Sequence, residues 1–209
     1  MNDDNPKAET RYQKYLARKR QKQAMKPPKS QVTLSMALQM AQAASAPILE
    51  CLVPVNLFET GIGNLVFARS LPDGRIALGV FLLDVFCLGI KNAFFSMVTR
   101  DEYDRRLRQR LVDEDLQRVE PACLRKLVEG GVVYARELGF TPHADYAMAH
   151  QIFGDVDSAM CTSYFNYGHE GKPLYISGPN ETAAQVKAIV DHLHRRLGPG
   201  NFDYMVAVR

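Results

Sequence analysis

The chain's 209 residues, 46% hydrophobic and 23% charged, suffice for one packed domain and show none of the bias of a disordered one. The formal net charge of +3 is unevenly placed: the first thirty residues hold nine Lys or Arg against three acids (+6), and the remainder carries −3. No apolar run reaches the roughly eighteen residues of a membrane span. The charged N-terminus lacks the apolar segment of a secretory signal, so the sequence predicts a cytoplasmic, bacterial-type protein without a membrane partner.

Residues 6–25 contain no Gly and no internal Pro, and good helix formers dominate them. Arg11, Lys14, Arg18 and Lys22 recur at helical spacing as one basic stripe, and Pro27-Pro28 ends the segment. This divides the chain into a basic helical arm, 1–30, and a single α+β globular domain, 31–209. A second helix is expected from about Val32 to Ser45, stopped by Pro47. Runs 48–53 and 64–69 read as strands separated by the Gly-Ile-Gly at 61–63. Leu71-Pro72-Asp73-Gly74 lies between two apolar runs, which predicts a hairpin of 64–70 with 75–86. The second of these strands is apolar on both faces and so belongs in the middle of its sheet. The next stretch, 87–95, fits helix and strand equally.

Thr99 followed by Glu102 marks a capping box that opens a charged helix through Arg110. Pro121 opens a helix to Leu138 with Gly139 as its stop, and Gly130-Gly131 inside it call for a closely packed neighbour. Thr141-Pro142 is expected to open a short helix closed by Gly154. A strand at 173–177, a helix capped by Asn180 and running to Leu197, and a last strand from Phe202 to Val208 form a β–α–β unit. The predicted fold is therefore α+β: a central, mainly antiparallel sheet with a long hairpin, covering helices, and a C-terminal β–α–β unit behind the basic arm.

Charge points to a class of partner. Arg11, Lys14, Arg18, Lys19, Arg20 and Lys22 can neutralise the phosphates of RNA or DNA, with Tyr12 and Tyr15 available for stacking. The same pattern also suits a solvated tail or a contact with an acidic protein partner. Asp84 interrupts the apolar Val80–Phe86 run, where an unpaired carboxylate costs several kcal/mol. It is expected to be catalytic or metal-binding, to pair with Lys91 or Arg75, or to act as the acceptor of a buried turn. A metal-dependent nuclease needs further carboxylates there, with Asp145, Glu170 and Glu129 available.

Cys87 with His143 and Asp145 has the residue types of a nucleophile, base and orienting acid, but an apolar setting makes a thiol inert. His143 and His150 are expected on one helix face; their spacing of seven is not the i, i+4 of a zinc helix, and His192 and His194 point apart. No metal or cofactor is assigned. Cys51, Cys87, Cys123 and Cys161 form no CxxC pair and are expected as buried, reduced thiols. Lys172, Ser177, Gly178 and Asn180 lie around a strand-to-helix junction, where free backbone N–H groups favour an anion and where Gly and Pro also serve turn geometry.

Residues 79–95 (GVFLLDVFCLGIKNAFF), 137–146 (ELGFTPHADY) and 171–180 (GKPLYISGPN) resemble segments of an uncharacterised family of bacterial proteins. The resemblance spans about residues 50–208 and carries no activity. It implies that the three segments share a domain and face one another, which groups Asp84, Lys91, His143, Asp145 and Lys172. The reading favoured by the sequence is a protein that binds nucleic acid or a ribonucleoprotein through its arm. A metal-dependent hydrolase using Asp84 with Asp145 or Glu170, and a protein–protein adaptor, are the alternatives.

Overall fold

Two nine-residue strands and the tight turn between them build the centre of the fold. The computed structural model describes residues 38–113 and 115–206. The chain divides at Met40/Ala41, and the elements that follow belong to the unit Ala41–Arg209. Strands β1 (Ile48–Pro54), β2 (Ile62–Ser70), β3 (Ile76–Asp84), β4 (Gly89–Val98) and β5 (Leu116–Arg118) form one antiparallel sheet in the order β4-β3-β2-β1-β5. The hairpin of β2 and β3 is the one the Pro-Asp-Gly turn implies, and it pairs in continuous register from Ile62↔Asp84 to Ser70↔Ile76. The ambiguous segment after it is β4, an edge strand on β3. A four-residue helix, α1 (Leu57–Thr60), ends at Gly61 with φ +80 before β2 begins.

Alternation along the strands loads both sheet faces with apolar side chains, so each needs its own cover. On one face Cys51, Phe67, Phe81 and Leu83 pack with Leu124, Leu127, Val128 and Val132 of α3 (Pro121–Glu137), and with Ala149, Ile152 and Phe153. On the other, Leu52, Val66, Leu78 and Val80 pack with Tyr103 and Leu107 of the charged helix α2 (Arg100–Asp113). Thr99 Oγ1 accepts the Glu102 N–H, but Glu102 turns its carboxylate to Arg106, so only half of the capping box forms.

Gly130 and Gly131 have the close neighbours their presence in a helix requires. Tyr167 lies where a Cβ on Gly130 would stand, and Leu83 Cδ1 would be 2.5 Å from one on Gly131. The helix expected at Thr141-Pro142 begins later: α4 spans Tyr146–Ala149 and passes into a 3-10 turn, His150–Phe153, closed by Gly154. His143 therefore precedes the helix and does not share a face with His150. The residues ahead of α4 are tied instead to the sheet, where His143 N–H donates to the Ile90 carbonyl.

The C-terminal β–α–β unit consists of β6 (Leu174–Ile176), α5 (Ala183–Leu197) and β7 (Asp203–Met205), with β6 and β7 parallel in a separate two-stranded sheet. Its cap is Thr182 rather than Asn180: Thr182 and Gln185 form a reciprocal capping box, while Asn180 lies in the preceding turn. Cys87, Leu138, Tyr175, Leu193 and Phe202 make its core. The expectation of four reduced thiols fails for two of them. Cys123 on α3 and Cys161 are joined in a disulfide, with Cα atoms 4.9 Å apart, while Cys51 and Cys87 are free and buried. Spacing in sequence could not show this, because the pair meets only after the chain folds back over α3.

A buried cation that the sequence did not single out ties two distant segments to β2. Arg69, 3% exposed, sits near the end of β2. Its guanidinium donates to the carbonyls of Ala46, Ile152 and Phe153. A planar fork of donors suits such a set of carbonyls better than a single ammonium would.

Candidate functional site

Asp84 ends β3, and the tight turn from there to β4 must satisfy several backbone groups away from water. Its Oδ1 accepts the N–H groups of Phe86 and Cys87, both at 2.9 Å. The turn is stitched to its surroundings: Val85 N–H donates to Gly61, Gly168 N–H to the Val85 carbonyl, and Leu174 N–H to the Phe86 carbonyl. Of the roles open to Asp84 in the sequence, the geometry realises the turn acceptor. Arg75 pairs with Asp73 instead. Burial, only partly offset by these backbone donors and by Lys91, pushes the Asp84 carboxyl up to about 6.

Beside it lies a cavity of about 160 Å³ lined by Asp84, Lys91, Ile62, Phe86, Ser177 and Gly178, among others. Lys91 makes its ion pair with Glu181, Nζ to Oε1 at 2.7 Å. Glu181 also accepts the Tyr175 hydroxyl at 2.5 Å and the Gly178 N–H at 3.0 Å. Burial alone would raise this carboxyl; the bonds from Lys91, Tyr175 and Gly178 outweigh it and hold Glu181 below its usual range. At this junction the chain's own carboxylate thus takes the Gly178 donor that an external anion would seek. Ser177 and Gly178 line the cavity, whereas Lys172 and Asn180 are exposed outside its lining. Glu181 had a readable signal, an acid just before a helix N-terminus, but its ion-pair partner Lys91 is ninety residues away.

His143, Asp145, Glu129 and Glu170 do not line the cavity beside Asp84. His143 Nδ1 is 3.8 Å from the exposed Asp145 carboxylate. Glu129 on α3 accepts from both Arg125 and His150, each at 2.8 Å. These bonds, with one from Ser158, outweigh burial and keep its carboxyl low. Glu170 is exposed in a tight turn. Among the described residues, no group of three or more His, Cys, Asp or Glu side chains is placed to hold a metal ion. Burial drives the Cys87 thiol well above its ordinary range, which leaves it a core residue. His192 Nε2–H donates to the Leu138 carbonyl, and His194 packs edge-on to Phe202. Arg11, Lys14, Arg18, Lys19, Arg20 and Lys22 lie outside the described residues.

No family model, curated protein or solved structure matches the chain.

Proposed function

We propose that this is a nucleic-acid- or ribonucleoprotein-binding protein whose basic N-terminal arm makes the contact. One observation carries the reading: nine of the chain's 26 Lys and Arg fall in its first thirty residues, while the rest of the chain is net acidic. A concentrated cationic segment attracts a polyanion, and an acidic body does not compete with it for the same ligand. The roles seen for Asp84, as turn acceptor, and for Glu181, as partner of Lys91, are compatible with a body that serves as scaffold. A cytoplasmic, bacterial-type setting, with kinship to the uncharacterised proteins that segments 79–95, 137–146 and 171–180 resemble, belongs to the same proposal. In a reducing cytoplasm the Cys123–Cys161 bridge forms only under oxidation.

The test is binding of a fluorescein-labelled single-stranded oligonucleotide across a salt series. If the six named Lys and Arg neutralise six phosphates, affinity falls roughly 300-fold between about 50 and 200 mM salt. Removal of residues 1–29 removes most of this affinity and its salt dependence. Undiminished binding by the truncated chain refutes the role of the arm. Absence of oligonucleotide binding at low salt, together with a stable complex with an acidic protein, would transfer the arm to the adaptor reading.

A further inference from the structure

The segment after the disulfide packs Phe165 and Tyr167 against the core but leaves Tyr164 in solvent. Residues 161–168 have no regular secondary structure, yet they are anchored at both ends. At the start stand the bridge to Cys123 and the Lys126 ammonium, which donates to the Cys161 and Ser163 carbonyls at 2.8 Å. At the end the Tyr167 hydroxyl donates to the Leu127 carbonyl and Gly168 N–H to Val85. Between these anchors Tyr164 is 93% exposed, with Lys126 Nζ 5.5 Å from its ring centroid. Phe165 lies parallel to Phe58 of α1, within 3° and with centroids 6.1 Å apart, and Phe58 is itself 39% exposed.

These rings open onto a cavity of about 350 Å³ whose remaining lining includes Asn166, His169 and Glu170. That size falls within the range of sites for small organic ligands. Glu170 is the sole non-glycine residue with positive φ (+51) among the described residues. It shares a two-residue turn with Gly171 between His169 and Lys172, a position where Gly or Asn is favoured. Glu170 thus holds a carboxylate beside these rings in a backbone conformation that costs about 1 kcal/mol.

We propose that this cavity takes an unstacked base of a single-stranded nucleic acid, and that guanine is the base it fits best. Tyr164 and the Phe58–Phe165 pair supply the flat apolar surfaces on which a base stacks. An ionised carboxylate only accepts hydrogen bonds, so Glu170 matches an edge with adjacent N–H donors. Guanine presents two such donors on its Watson–Crick edge; cytosine and adenine present one amino group each. Asn166 can serve either a donor or an acceptor on the same base. The proposal rests on the nucleic-acid reading above and adds a base-selective site on the body to a non-selective arm.

The test compares two fluorescein-labelled single strands on the full-length protein, one of uridines alone and one carrying two central guanosines. The expected result is at least about 5-fold tighter binding of the guanosine strand, the lower bound for one bidentate carboxylate–base match. Glu170→Gln should erase that ratio, and Tyr164→Ala should shrink it by weakening the guanosine strand more than the uridine strand, whose bases also stack on the ring. Removal of residues 1–29 should weaken both strands and preserve the ratio. Equal affinity for the two strands, or a preference that survives both substitutions, overturns the proposal while the role of the arm stands. Should neither strand bind, guanosine monophosphate is titrated against the protein by NMR: saturable shifts that vanish in Tyr164→Ala support the cavity without the arm, and their absence refutes it.

Discussion

Replacing Asp84 by Asn should alter how stability depends on pH rather than remove an activity. In the folded protein burial raises this carboxyl from 3.8 to about 6 despite the donors of Phe86 and Cys87. The folded state therefore binds its proton at higher pH than the unfolded chain does. Its contribution is complete below about pH 4, declines as pH rises to about 6, and is constant above that. At 1.36 kcal/mol per pKa unit the whole decline is about 3 kcal/mol, of which about 2 kcal/mol falls above about pH 4.5. Asn cannot ionise, yet its amide oxygen can accept the same two N–H groups. Urea unfolding of both proteins, followed by circular dichroism because the chain has no Trp, gives the stability difference at about pH 4.5 and about pH 7.5. Asn should gain about 2 kcal/mol on the wild type between the two. Any fixed effect of the new NH2 group cancels in this double difference. A difference near zero, or of opposite sign, would mean that the turn stabilises the charged carboxylate and that the burial argument is wrong.

Arg69→Leu should destabilise the protein by about 3 kcal/mol, because three buried carbonyls lose their donors at once; Arg69→Lys should restore only part of this in the same urea assay. Cys123→Ser should lower stability by about 4 kcal/mol under oxidising conditions, the loop-closure value for a separation of 38 residues, and have no effect in reductant. Alkylation mass spectrometry of protein from intact cells reports whether that pair is bridged where the protein works. Gly131→Ala should destabilise by about 1–3 kcal/mol despite alanine's better helix propensity, since the new methyl meets Leu83; a stabilised variant would show that Leu83 yields freely. Glu170→Gly should raise stability by about 1 kcal/mol by relieving the positive φ, while abolishing any guanosine preference.

Where local chemistry sufficed, the elements were legible in the sequence. The Pro-Asp-Gly turn with its apolar flanks specified the β2–β3 hairpin, and the doubly apolar β3 required cover on both sides. Pro121 and Gly139 bracketed α3, and Gly130-Gly131 announced the close approach that Tyr167 and Leu83 make. Errors arose where two signals competed at short range. Thr182, two residues after Asn180, won the cap of α5 because Gln185 completes its box. Thr141-Pro142 gave way to an extended loop because His143 pairs with the edge strand.

The sequence by itself determined the periodicities, the turns and the segregation of positive charge at the N-terminus, because each depends on residues within a few positions of one another. Only the tertiary structure decided that Cys123 meets Cys161, that Arg69 binds carbonyls from two distant segments, that Lys91 chooses Glu181 over Asp84, and that Tyr164 faces solvent beside Phe58 and Glu170. Apart from Tyr164 and Glu170, these partnerships span from about twenty to just over a hundred residues. Residue type limits what a side chain can bond, but which partner it reaches is set by how the packed sheet and its covering helices bring remote segments together.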